Sequence, residues 1–247
     1  PWAHHAVAHV YDALGNPDNG IRWMEKHSPT WNSCNSFMYT HNWWHVALYY
    51  LDKGEESKAL SIYDENLWGA SHGDSTYSQD QAGAISILLR LKLRGVNVNE
   101  RWSQVVAKIA ERELWYDQPL LTAHFAYALA SSDLEDMCKV FMAEMNDQVG
   151  AKKVKNFQVW KDSAIPLCKG MVAHARRDFS AAANFLGSSR PYWKNVGGSD
   201  TQRDLFEQVY IDTLIHTSQL TKARELLAAR RKKRPNLPVH LCQLKNL

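Results

Sequence analysis

A helix–glycine–helix unit is written into residues 31–67, WNSCNSFMYTHNWWHVALYYLDKGEESKALSIYDENL, and it restricts the chain to folds in which such pairs stack. Trp43, Trp44, Ala47, Leu48 and Leu51 recur at helical spacing, which predicts a helix over about residues 33–53. Gly54 then supplies the left-handed residue that commonly ends a helix. A second helix follows over residues 55–67, with Ala59, Leu60, Ile62 and Tyr63 on its apolar face. Such a pair cannot bury both apolar faces alone, so it needs neighbours.

The rest of the chain supplies them. Residues 3–14 read as a helix closed by Gly15. Asn16 caps the next helix, and Pro17 fits its first turn, where a missing N–H costs nothing. That helix carries Ile21, Trp23 and Met24 and stops before Pro29. Further pairs are predicted at 80–94 with 102–114, at 120–130 with 134–145, at 163–176 with 179–186, and at 201–216 with 221–234. Residues 148–159 read as a loop or short helix. SSRPYWKNVGGSD reads as the longest irregular break, and residues 237–247 as a possible capping helix. No β-alternation competes. The expected fold is all-α, a single domain over residues 1–247, built as a right-handed superhelical solenoid of about six antiparallel helix hairpins.

Small residues and turn glycines recur at the places a tetratricopeptide repeat reserves for them: Ala8, Gly15, Gly20 and Pro29 in the first unit, and Ala47, Gly54 and Ala59 in the second. Ala182 and Ala223 hold the small position later in the chain. Four longer motifs are PWAHHAVAHVYDALGNPDNGIRWM, THNWWHVALYYLDKG, LLRLKLRG followed by RW, and GGSDTQRDLFEQVYIDTLI. In this order they resemble the tetratricopeptide repeat protein 38 family over nearly the whole chain. The resemblance implies a solenoid and a cytosolic setting, and it implies no reaction. It also implies that residues 1–247 are the central and C-terminal part of a longer protein.

Composition narrows the function classes. A net charge of +3 is too small to point to nucleic acid, and no run reaches the roughly 18 apolar residues of a membrane span. Cys34, Cys138, Cys168 and Cys242 are widely spaced without CxxC pairing, which reads as free thiols in a reducing, cytoplasmic compartment. The basic run Arg230–Arg234 falls at a helix C-terminus, where the helix dipole favours positive charge. A chaperone-tail carboxylate clamp needs Lys, Asn and Arg on successive inner helices. His5, His9, His45, Ala82 and Ser86 stand in those places, so no such clamp is expected. P-loop, GxSxG and dinucleotide fingerprints are absent.

The candidate chemistry lies in histidine. His5 and His9 are one turn apart on the first helix, and His41 and His45 are one turn apart on the third, so each pair shares a face. Aligning Ala8 with Ala47 places His5, His9, His41 and Trp44 at the inner surface, beside Asn42 and Trp2, and turns His45 toward a neighbouring hairpin. Two HxxxH pairs suit a transition metal. No Asp, Glu or Cys of comparable spacing completes the set, and the HExxH glutamate is missing, so no metal or cofactor is assigned. The competing readings are histidines hydrogen-bonded within a Trp-rich groove, and a ligand pocket in which His5, His9 or His41 acts as acid or base.

A second candidate is GGSDTQRDLFEQ, with Gln202, Arg203 and Asp204 at the start of a helix. Arg203 and Glu207 are spaced for a surface ion pair. The flanking glycines and the family resemblance favour a site, in which the Arg203 fork would take a carboxylate or phosphate. Two functions follow. One is a scaffold that binds a protein or peptide along its concave face. The other is a small-molecule-binding protein or enzyme with His5, His9, His41 and Arg203 lining one pocket, its ligand an anionic small molecule.

Overall fold

The computed structural model describes residues 1–69, 75–112, 116, 118–235 and 237. Among these residues there are helices and turns and no strand. No helix among them is long and apolar enough to cross a membrane. The chain divides into two compact units. One comprises residues 1–98 together with 220–247, and the other residues 99–219.

The first unit is organised around α3. It contains α1 (Trp2–Ala13), α2 (Pro17–His27), α3 (Ser36–Lys53), α4 (Glu56–Ile62) and α5 (Ser78–Lys92). Helix α3 packs against all four of the others. That position explains why residues 44–51 are buried without a break and not along one stripe. Asn35 starts α3 by accepting a hydrogen bond from the Met38 N–H at 2.9 Å, and Gly54 ends it with φ +75°. The expected 55–67 helix is shorter than its apolar pattern suggested. After Ile62 the chain widens into a π turn, Tyr63–Leu67, which still buries Tyr63 and Leu67. One inserted residue re-aims the backbone while keeping the apolar positions inward.

Two contacts set the distance of α1 and α2 from α3. A Cβ on Gly20 would lie 2.4 Å from the Tyr49 ring, so only glycine lets α2 approach this closely. The Tyr49 hydroxyl donates to the Ala8 carbonyl of α1. The far end of α1 is held from the other end of the chain. Arg234, just past the last helix, reaches Asp12 of α1 at 2.6 Å and Asp52 of α3 at 3.4 Å. All three side chains are at most 15% exposed.

The second unit contains α6 (Asn99–Ala110), α7 (Pro119–Ala130), α8 (Glu135–Gly150), α9 (Ile165–Ala175), α10 (Phe179–Ser189) and α11 (Asp200–His216). Helix α9 packs against α7 and α10. The segment read as a loop or short helix is partly helical: α8 runs on to Gly150, and Phe157–Val159 leads through a π turn, Trp160–Ala164, into α9. The break read at SSRPYWKNVGGSD also contains order, a 3-10 helix over Arg190–Val196 that buries Trp193 and Val196. Helix α12 (Leu220–Lys233) belongs to the first unit. The expected capping helix at 237–247 lies outside the described residues apart from Leu237, and Cys242 lies outside them.

Candidate metal centre

Helices α1 and α3 turn their histidine pairs toward one another. His5 and His9 leave α1 from successive turns, and His41 and His45 leave α3 in the same way. One ring nitrogen from each of the four lies within 4.8 Å of every other. The Nε2 atoms of His5 and His9 are 3.0 Å apart, and those of His5 and His41 are 3.1 Å apart. The His45 ring centroid is 4.6 Å from that of His9 and 5.1 Å from that of His5. His45 is buried, and the other three are partly exposed.

Aromatic neighbours fix the rings. His41 stacks on Trp44, with ring centroids 5.1 Å apart and planes 10° from parallel, and also on Phe37 at 5.1 Å. Trp44 is in turn anchored by its indole N–H, which donates to Ser86 Oγ at 3.2 Å. Trp2 sets its edge against His5 and remains 65% exposed. Asn42 is fully buried on α3, and neither of its amide atoms has a hydrogen-bond partner.

Burial sets the protonation state. Desolvation lowers all four pKa values. His5 falls to about 4, with further repulsion from His9, and His41 to about 3, with further repulsion from His5 and His9. His45 lies well below its ordinary value for the same two reasons, and His9 is lowered by burial against a partly opposing pull from Asp12. All four rings are therefore neutral at pH 7, which is the form that ligates metals.

Hydrogen bonding alone does not satisfy such a cluster. Each ring nitrogen has one in-plane site, carrying either a proton or a lone pair. His5 Nε2 meets two other Nε2 atoms and can pair well with only one. His45 Nε2 is buried with no hydrogen-bond partner. A cation among the four accepts every lone pair at once. Nitrogens about 2.0–2.1 Å from a tetrahedral ion lie about 3.4 Å apart, so separations of 3.0 and 3.1 Å are within range of a shared ion.

The same protonation pattern gives a pH dependence for the metal-free protein. The folded pKa values lie below the unfolded value near 6.5, so the unfolded chain binds more protons in that interval. The stability is fully present above pH 6.5 and is lost as pH falls toward 4 and 3. For His41 alone we expect about 2 kcal/mol less unfolding free energy at pH 5 than at pH 7. Urea unfolding in chelator at the two pH values measures it. His41→Gln should shrink the difference, and an equal difference in that variant would assign the acid sensitivity elsewhere.

The second candidate resolves differently. Gln202, Arg203 and Asp204 lie on α11 in the second unit, whereas the histidines lie in the first. Arg203 curls back over its own loop, donating to the carbonyls of Gly197 (2.8 Å) and Gly198 and to Asp200 at 2.5 Å. Gln202 and Ser199 form a capping box, and Asp204 accepts from Gln208 at 2.8 Å. The surface pair weighed for Arg203 and Glu207 is replaced, because Glu207 accepts from Arg190 Nε at 3.0 Å. These residues hold the start of a helix. The glycines beside them, with φ +92° and +72°, shape the loop that the Arg203 fork ties down.

Two buried polar groups escaped the sequence reading. Asp80 collects the hydroxyls of Ser36, Thr40 (2.9 Å) and Ser75 (2.6 Å). In the second unit His174 pairs with Asp212 at 2.8 Å, and His216 approaches the same oxygen at 3.7 Å. The one-turn spacing of Asp212 and His216 was visible in sequence, but their partner on α9 was not. No protein-family model matches the chain, and no solved structure matches it.

Proposed function

We propose that the protein binds one first-row transition-metal ion through His5, His9, His41 and His45. The observation that carries this reading is the convergence of four neutral imidazole nitrogens within 4.8 Å of one another, one of them buried with its Nε2 unpartnered. An all-imidazole set suits zinc, copper, cobalt, nickel or iron and disfavours magnesium and calcium, which take oxygen ligands. The ion staples α1 to α3 and is reachable from the side of the three partly exposed rings.

The reading includes a tetratricopeptide-like stacking of the hairpins, related to the tetratricopeptide repeat protein 38 family, in a reducing cytoplasmic setting. Supporting it are Ala8, Ala47 and Ala59, all fully buried at the small-residue positions, and positive φ at the turn residues Gly15 and Gly54. Cys34, Cys138 and Cys168 are free thiols.

Native mass spectrometry and elemental analysis of the chain, loaded with zinc or cobalt(II) and then dialysed, test the metal reading. One ion per chain, lost on denaturation, is expected. Substoichiometric, non-specific uptake would sink it. A scaffold for a peptide or protein remains the second reading, favoured by the exposed Trp2 and Val10 of α1 and Leu14 just beyond it. Partner binding that is indifferent to metal and to loss of the histidines would put that reading first.

A further inference from the structure

We propose that the loaded centre takes an exogenous carboxylate as an additional ligand on its solvent-facing side. This rests on the metal reading of the same four histidines. Three observations lead to it.

The first is charge. Four imidazoles bring no negative charge to a divalent ion, and the cluster holds no carboxylate or thiolate among the described residues. The nearby acids offer little: Asp12, on the turn after His9, pulls on that ring but is shared with Arg234, and Asp80 of α5 is held by three hydroxyls. A dication in a partly dry site therefore keeps much of its charge unmet, and an anion from solution can meet it.

The second is geometry. Nitrogens about 2.05 Å from a common ion and 3.0 or 3.1 Å apart subtend angles of about 94–98° at it, below the tetrahedral 109°. The other separations run up to 4.8 Å, so the four nitrogens as they stand do not close a regular tetrahedron around one ion, and a set that is not closed leaves room for an outside ligand.

The third is the direction of that opening. His45 closes the inner side, and His5, His9 and His41 are the partly exposed members. The exposed ring of Trp2, edge-on to His5, gives the opening an apolar wall beside which the carbon chain of a small organic acid can lie.

The test uses the full chain loaded with cobalt(II), whose visible spectrum reports coordination number. Acetate is titrated in at constant ionic strength maintained with perchlorate. We expect a saturable change in band position and intensity, with a half-point in the millimolar range, and at least a tenfold slower loss of cobalt to chelator at saturating acetate. A loaded protein whose spectrum ignores acetate would overturn the inference and leave the metal reading standing. A spectrum that moves with pH but not with acetate would assign the open position to water-derived hydroxide and also overturn it. Failure to take up cobalt at all would remove both readings.

Discussion

Replacing His45 with leucine should strip the protein of its metal while leaving the metal-free fold as stable as before, or more so. The two halves of this result have different causes. His45 is 1% exposed, and its Nε2 has no hydrogen-bond partner. A buried nitrogen of that kind costs on the order of 1–3 kcal/mol, and a leucine of similar size removes the penalty. In the loaded state the same nitrogen is one of four ligands, and its loss should weaken binding by on the order of 100-fold or more, beyond the range seen for supporting residues. Isothermal titration with zinc and urea unfolding in chelator read the two halves separately. A His45→Leu protein that binds one ion as tightly as the parent would end the four-histidine assignment. A metal-free variant destabilised by several kcal/mol would instead make His45 an ordinary packing residue. Opposite signs of this kind are the mark of a residue kept for function against stability.

The second large effect is expected at Arg234. Its guanidinium lies between Asp12 and Asp52, and the three side chains are 15%, 12% and 14% exposed. Exposed ion pairs contribute about 0–1 kcal/mol, whereas breaking a buried one costs about 3–5 kcal/mol. The small exposure places this bridge nearer the second case, and Arg234→Met should destabilise the protein by roughly 3 kcal/mol at neutral pH. Most of the loss is repulsion and desolvation at the two carboxylates that share the cation. Adding Asp12→Asn and Asp52→Asn to the same variant should therefore recover more than half of it. Chemical denaturation of the parent, the single variant and the triple variant decides the matter. A single variant within 0.5 kcal/mol of the parent would reduce the bridge to a surface contact.

Local chemistry was legible in the sequence wherever one residue sufficed to specify it. Gly15 and Gly54 take positive φ at helix ends, and Pro17 opens a helix. The π turns at Tyr63–Leu67 and Trp160–Ala164 were not legible, because one extra residue leaves the apolar pattern almost unchanged. The 3-10 helix at Arg190–Val196 was hidden by its own Pro191 and the following glycines, which read as breakers. For the site, the one-turn spacing told which histidines share a face. It could not tell which helix that face would meet, since the packing of α1 on α3 depends on Gly20, Tyr49 and Arg234. Arg203 shows the converse. Its local context invited a ligand, and the same context of glycine carbonyls and Asp200 satisfied it internally. Nothing local foretold the partnership of Asp12 with Arg234, because 222 positions separate them.

That separation has a consequence for synthesis. The first unit takes residues from both sides of the second, so a nascent chain holds everything needed for the second unit before it holds everything needed for the first. Domains generally fold as they emerge, and a folded insert shortens the loop that must close between Asp12 and Arg234. The histidine seam uses only residues 5–45, so it is complete in the growing chain before the second unit is. An ion captured there would fasten α1 to α3 while the latch at residue 234 is still inside the ribosome.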